Sequence, residues 1–399
     1  MQNKFDSHQL VKKLSFPRLP GTEGEKEAQR IIESELKTLN IHNYKKESFV
    51  YTKFFMNILL RIYSFLIGIQ MIFLIILLYF QLYYLVIPFA VILLITSFFS
   101  REIRENIQFK FTRIGKKKKS ENYIIELPAK QKTKDSNQNI VILAHYDSIS
   151  MSFHPLFDGA IFFFSLIGGT LFSVHVILVM SLYFLNLISI EIIQFIYGLF
   201  LAGFYGIQIF NKRHNKSFGT ADNATAVANA FYNMEFFSKN PLNNTNLVFV
   251  LTGAEEMGDY GADAFIKKHN NELNRHNTYF FVPDTVGANQ KTNLYAFAQG
   301  LPKKEFSPII TKHIEDLLNS SNINYKIKPL YIPPLIHFST DHAPLKPFGY
   351  QFIIFLSNAP IHSKRDNIDN YYPEMLDDFN SFSRDLIIHM DKNYQNLAE

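Results

Sequence analysis

Two stretches of almost unbroken apolar residues, Phe54 to Ser100 and Ala160 to Phe210, constrain this chain more than any other feature. A helix that crosses a membrane needs about 20 apolar residues, so each stretch has room for two. The first divides near Gln81 to Tyr84 into spans Met56–Phe80 and Leu85–Phe99. The second divides near Leu185 to Ser189 into Ala160–Phe184 and Ile190–Phe210. Helices buried in a soluble bundle are the alternative, but so many consecutive Phe, Ile and Leu residues leave no polar face for water. Arg61 stands near one end of its span, where its long side chain can reach the interface.

Two hairpins, four spans in all, return the chain to the side it started from. The chain then reads as a multi-pass membrane protein whose polar segments share one face. Arg101, Arg104, Lys110, Arg113, Lys116–Lys119, Lys212, Arg213 and Lys216 lie on that face, while the opposite turns carry no Lys or Arg. The positive-inside bias therefore puts the polar part in the cytoplasm.

Outside the hairpins the pattern is that of a globular α/β domain. Short apolar runs at Asn139–Ala144, Asn246–Thr252, Tyr279–Pro283, Asn293–Ala298 and Tyr350–Leu356 read as strands. Helical stretches at Ala221–Phe237, Gly258–His269, Ser307–Asn319 and Glu374–Lys392 alternate with them, which implies a sheet flanked by helices. The expected organisation is one domain built from residues 1–53, 101–157 and 212–399, interrupted by hairpins at 54–100 and 158–211. The chain has no cysteine, so a metal would be held by nitrogen and oxygen ligands. A net charge of +5 over 399 residues, with the lysine cluster beside an apolar run, points to a lipid surface and away from nucleic acid.

Strand after strand ends in a histidine or a carboxylate. Val141–Ala144 runs into His145-Tyr-Asp147, and a Gly219 turn leads to Asp222 in the first turn of a helix. Asn246–Thr252 ends in Gly-Ala-Glu255-Glu256. The next strand ends in Val-Pro-Asp284, and the last runs on to His362. Ligands in α/β proteins gather at the carboxyl ends of strands. Adjacent carboxylates such as Glu255 and Glu256 repel unless a cation or a shared proton intervenes. Taken singly, each also reads as an ordinary cap, turn or acidic loop. Taken in order, two histidines and three carboxylates suit two divalent metals, with zinc favoured by the imidazoles.

The series His145-x-Asp147, Asp222-Asn223, Glu255-Glu256, Asp284 and His362 resembles the M28 family of two-zinc aminopeptidases, and the Arg18-Leu-Pro-Gly-Thr-Glu-Gly segment resembles that family's N-terminal region. The resemblance implies a mixed sheet flanked by helices, of the zinc-dependent exopeptidase kind. It implies that Asp222 bridges two zinc ions, His145 and Asp284 complete one, and Glu256 and His362 complete the other. Glu255 becomes the general base and Asp147 the partner that orients His145. The Ser339-Thr-Asp341-His342 segment resembles one near the family's pocket, so Asp341 and His342 are expected to shape the substrate site. The implied reaction is hydrolysis of N-terminal peptide bonds, on free peptides or on the N-termini of membrane proteins. The alternatives are glutaminyl cyclase-like acyl transfer, a binding protein without catalysis on the same fold, and a transporter. The second hairpin leaves just after His145 and returns just before Asp222, so the active site is expected close to the bilayer surface.

Overall fold

A computed structural model describes residues 5–54, 58–98, 114–131, 138–153, 155–333 and 339–394. Arg101, Arg104, Lys110 and Arg113 of the charge bias, and Met56 and Phe99 of the expected spans, lie outside these residues.

The strands are β1 Tyr44–Thr52, β2 Lys117–Leu127, β3 Gln138–His145, β4 Ser150–Met151, β5 Arg213–His214, β6 Thr245–Thr252, β7 Thr278–Pro283, β8 Asn293–Gln299, β9 Lys304–Glu305, β10 Ile327–Ile332 and β11 Gln351–Leu356. The sheet of the globular part is mixed, in the order β1-β2-β6-β3-β7-β11-β8-β10, with the short β9 paired to β8. The central strands β6, β3, β7 and β11 run parallel, and β2 and β8 flank them antiparallel. Parallel strands buried on both faces must be continuously apolar, and for that reason these are legible as short apolar runs.

Helices Glu23–Thr38, Thr225–Lys239, Pro308–Ser320 and Pro373–Lys392 cover one face, and their apolar sides form the larger core with Ile140, Ile142, Phe249 and Phe281. Helix Tyr260–His269 covers the other face over Val141, Leu143, Phe280 and Ile354. Three elements lie beyond the sequence pattern. Helix Ser7–Leu14 is short and is started by Asp6, whose side chain accepts from the amides of His8 and Gln9. The strand β10 contains Pro329, which an edge strand tolerates. A two-stranded ladder of β4 with β5 joins the segments on either side of the second hairpin.

The apolar stretches form helices Leu60–Tyr79, Tyr83–Phe98, Pro155–Phe184 and Tyr197–Ile207, the last flanked by 3-10 turns. They pack into a separate apolar cluster that includes Met71, Leu74, Val86, Ala90, Phe172, Val176 and Tyr205. Ile62, Phe65, Leu66, Ile69, Ile92, Leu171 and Phe200 project outward, exposed. Three stretches, Arg61–Tyr79, Ile167–Phe184 and Ile192–Phe210, are long and apolar enough to cross a membrane by length and composition. The fourth expected span corresponds to Tyr83–Phe98, shorter at 16 residues, or about 24 Å at the rise of an α-helix. The Arg61 guanidinium donates to the carbonyl of Ile209, joining the first apolar helix to the last.

Between helices Pro308–Ser320 and Pro373–Lys392, the His313 ring is buried, with neither ring nitrogen hydrogen-bonded among the described residues, and stands 5.4 Å from the His389 ring. Burial, with His389 beside it, pushes His313 down to about 4. The folded state thus holds a neutral imidazole that the unfolded chain protonates near pH 6.5. This contribution to stability is complete above pH 6.5 and is lost as the pH falls toward 4. Replacing His313 by Leu is expected to flatten the fall of melting temperature between pH 7 and 4.5, recovering about 1–3 kcal/mol at the acid end. Thermal melts of both proteins over that range check it.

Candidate metal centre

The four parallel strands deliver their carboxyl ends to one place. The strand β3 ends at His145, β6 leads to Glu255 and Glu256, β7 to Asp284, and β11 to His362. His145 Nε2 lies 3.2 Å from one oxygen of Asp222, and His362 Nε2 lies 3.3 Å from the other. His362 Nε2 is also 3.1 Å from Glu256, and His145 Nε2 is 4.0 Å from Asp284. Two three-residue groups result, His145 with Asp222 and Asp284, and Asp222 with Glu256 and His362. Within each group the candidate ligand atoms lie within 4.8 Å of one another. Glu255 sits beside them, 3.9 Å from His145 Nε2.

The donor set fits two divalent ions. His145 Nε2, Glu256 Oε1 and Asp284 Oδ1 are buried and, among the described residues, have no hydrogen-bond partner. Leaving such groups unpaired costs about 1–3 kcal/mol each, more for charged ones, which coordination would offset. Burial pushes Glu256 up to about 7 and Asp284 up to about 6, with Asp222 adding to both. Burial also holds Glu255 well above its ordinary value; His145 opposes this, while Asp259, Glu256 and Asp341 reinforce it. The two histidines go the other way. Burial disfavours their charge, yet the surrounding carboxylates raise both well above 6.5. Asp222 departs from its fellow carboxylates: burial opposes its ionisation, but the two imidazoles hold it well below its ordinary value.

Backbone geometry marks the same loops. Ala254, Thr285 and His362 have positive φ, at 55°, 60° and 56°. Non-glycine residues in this region cost on the order of 1 kcal/mol or more and cluster where a loop must aim a side chain.

Asp222 does not lie in a helical turn as its sequence context implied. Its φ of −114° and ψ of 86° are non-helical, and the helix begins only at Thr225. The reason is Asp366, whose carboxylate accepts from the amides of Ala221 (2.6 Å) and Asp222 (3.3 Å). Asn223 then reaches the other way. Its side chain donates to the Pro283 carbonyl and accepts from the Thr285 amide, bracketing Asp284. Thus Asp366 ties the Asp222 turn to the His362 loop, and Asn223 ties it to the Asp284 loop. Burial, with Asp222 nearby, raises Asp366 to about 7.

Asp147 does more than its expected orientation of His145. His145 Nδ1 faces the Asp147 carbonyl oxygen at 3.3 Å and its carboxylate at 3.7 Å. A carbonyl only accepts, so Nδ1 carries the proton and Nε2 is left for a cation. The Asp147 carboxylate takes the amides of Glu255 and Glu256, each at 3.1 Å, and so fixes the loop that presents both. Replacing Asp147 by Asn turns one acceptor into a donor facing an N–H. The expected result is a loss of about 10–100-fold in metal affinity or turnover with the fold retained, checked by metal titration and circular dichroism.

Arg18 is a functional candidate that composition and spacing do not reveal. It is fully buried and donates to the carbonyls of Leu14, Phe16, Tyr146, Phe218 and Gly219. It thereby clamps the N-terminal segment, the residue after His145 and the turn before Asp222. Asp341, expected at the substrate site, accepts from Thr252 Oγ1 at 2.5 Å, and burial raises it to about 7. His342 is buried against the rings of Phe306 and Phe352. Neither residue offers a ligand atom to the two groups.

The family model of peptidase family M28 matches residues 206–393, which carry Asp222, Glu255, Glu256, Asp284 and His362. The fold is shared with the aminopeptidase of Aneurinibacillus sp. strain AM-1, at a TM-score of 0.54 and 13% identity over 97% of this chain and 94% of that one. It is shared with an Acidobacteriales bacterium glutaminyl cyclase at 0.53 and 12% identity, over 99% and 96% of the two chains. A leucine aminopeptidase precursor from Bacteroides thetaiotaomicron VPI-5482 matches at 0.53 and 12% identity, over 97% and 98%. No protein of curated function matches the sequence. The class so defined is a mixed α/β fold, its central sheet flanked by helices as in these aminopeptidases, with an M28 match over residues 206–393.

Proposed function

We propose that the chain is a membrane-anchored aminopeptidase of the M28 family that works with two divalent metal ions, zinc in the first instance. The observation that carries this reading is the sharing of Asp222 between two complete ligand groups, one with His145 and Asp284, the other with Glu256 and His362. Bound there, such ions supply Lewis acidity that polarises a peptide carbonyl and makes water a nucleophile at neutral pH.

The chain's own residues do the rest. Glu255 takes the proton from the attacking water and returns it to the leaving amine, the role of a general base followed by a general acid. Asp147 holds Glu255 and Glu256 through their amides, and Asp366 and Asn223 hold Asp222 between the other two loops. Asp341, buried near Glu255, adds negative charge that helps the base keep its proton affinity.

The exposed apolar belt on the helix bundle supports insertion in a bilayer. The cytoplasmic placement rests on the charge bias of the sequence. The β4–β5 ladder supports an active site close to the membrane, because the Met151 amide donates to the carbonyl of His362 at 2.9 Å. Substrates are then apolar peptides, or N-termini of membrane proteins, that meet the site at the bilayer surface.

The test is metal content together with residue release from peptides bearing a free or an acetylated N-terminus, on full-length protein in lipid. About two metals per chain and release only from the free N-terminus support the reading. Cyclisation of N-terminal glutamine without residue release would instead favour the cyclase chemistry that also uses this fold. Stoichiometric metal with neither activity would leave a binding protein.

A further inference from the structure

His145 and Asp222 stand on two arms of the chain, one leaving the end of β3 and the other returning from the second hairpin. The 3.2 Å between His145 Nε2 and Asp222 crosses from one arm to the other. A third segment, from the N-terminal part of the chain, joins them. Arg18 Nε donates to the Tyr146 carbonyl on the first arm at 2.7 Å. Its Nη1 and Nη2 donate to the Phe218 and Gly219 carbonyls on the second arm, at 2.7 and 2.9 Å. The main chain continues the joint: the Arg18 amide donates to Ser148 Oγ at 3.0 Å, and Ser148 Oγ donates to the Ser217 carbonyl at 3.4 Å.

Gly219 is where the arms press together. At its φ of 62°, an added Cβ would lie 2.5 Å from Ser148 Cβ, 2.7 Å from Arg18 Nη2 and 2.9 Å from the Asp222 carbonyl oxygen. A side chain there would force the joint open. Burial pushes Arg18 down to about 10, against Asp366, Asp147, Asp222 and Glu256, so the guanidinium keeps its charge and its donors at neutral pH. Such a planar fork holds several carbonyls at set separations, which the single ammonium of a lysine cannot do.

The Asp222 turn has two other holders, and they lead elsewhere. Asp366, from the His362 loop, accepts from the Ala221 and Asp222 amides. Asn223 reaches the Pro283 carbonyl and the Thr285 amide on either side of Asp284. Each attachment of the turn thus runs to a different candidate ligand: Arg18 to His145, Asp366 to His362, and Asn223 to Asp284. Farther from the centre the arms meet again in the β4–β5 ladder, which keeps the hairpin ends together when Arg18 is altered.

We propose that Arg18 and Asp366 divide the two ligand groups between them. Arg18 is the positioning residue for the group of His145, Asp222 and Asp284, and Asp366 for the group of Asp222, Glu256 and His362. The inference rests on the two-metal reading given above. It makes occupancy of the first group depend on an N-terminal segment that supplies none of its ligands.

The test titrates metal-free, full-length protein in lipid with cobalt(II), followed by calorimetry and by elemental analysis after desalting. Arg18→Lys and Asp366→Asn are each measured alone and together with His145→Ala or His362→Ala, which leave one intact group apiece. Wild type is expected to take up about two ions. In the His362→Ala background, where the His145 group remains, Arg18→Lys should weaken the ion at least about tenfold. Asp366→Asn should there change it by no more than about twofold, the margin of additivity. In the His145→Ala background the two effects should exchange. Equal losses from Arg18→Lys in both backgrounds would mean a general structural role and overturn the proposal, and so would no loss in either. If Arg18→Lys shows no metal-free melt, Ser148→Ala replaces it, since that change removes one link between the arms. A smaller loss confined to the His145 group then supports the proposal; loss in the other group, or none, overturns it. Wild type binding well short of two ions would overturn the two-metal reading, and the proposal with it, before any variant is compared.

Discussion

Replacing Glu255 by Gln is expected to reduce peptide hydrolysis by about 10²–10⁴-fold, the range associated with a positioned general base, while metal content stays as in wild type. Glu255 is isosteric with Gln, so the Asp147 bond to its backbone amide survives the change. Its carboxylate is also outside both candidate ligand groups, which leaves the ligands in place. Burial together with Asp259, Glu256 and Asp341 gives Glu255 a high proton affinity, a property a base needs and an amide lacks. Turnover within a few-fold of wild type in the variant would reassign the base. Metal lost along with activity would make Glu255 a ligand instead.

Replacing Asp222 by Ala is expected to have the widest effect of any single change, because both groups use this carboxylate. Metal content should fall from about two per chain to below one, with activity lost by at least about 10³-fold. Without Asp222, His145 and His362 each lose a carboxylate that stood 3.2 and 3.3 Å away. Stability should respond in opposite senses with and without metal. Wild type gains when zinc is added, by about 2.7 kcal/mol at a hundredfold excess over its dissociation constant. The variant should gain little, because its ligand groups are incomplete. Elemental analysis and melts with and without zinc separate this outcome from simple misfolding, in which the metal-free melt itself disappears.

The sheet's centre is legible in the sequence because parallel strands buried on both faces are written as apolar runs, and the reactive residues follow those runs at once. His145, Glu255, Glu256 and Asp284 can therefore be placed at strand ends from the amino-acid order alone. The outer strands are harder to read. β1 and β2 carry Lys45 with Glu126 on one face and Lys46 with Glu121 on the other, and these charge pairs break the apolar signal. Other features depend on segments far apart in the chain. Nothing near Asp222 announces that its turn is bent by a carboxylate 144 residues away. Arg18 reads as an ordinary turn residue until the fold brings Tyr146 and Gly219 around it. Asp366, four residues after a candidate ligand histidine, is the one signal that attention to spacing could catch.

The small β4–β5 ladder has a consequence for the order in which the chain assembles. On the membrane reading, His145 is synthesised before the second hairpin and Asp222 after it. The ladder closes only when both ends of that hairpin have come back to the same side. Through Met151 it then meets the loop of His362, the last candidate ligand to be made. A nascent chain whose second hairpin has not returned lacks this tie between the segment after His145 and the His362 loop. On that reading, topogenesis sets the moment at which the candidate ligands are brought together.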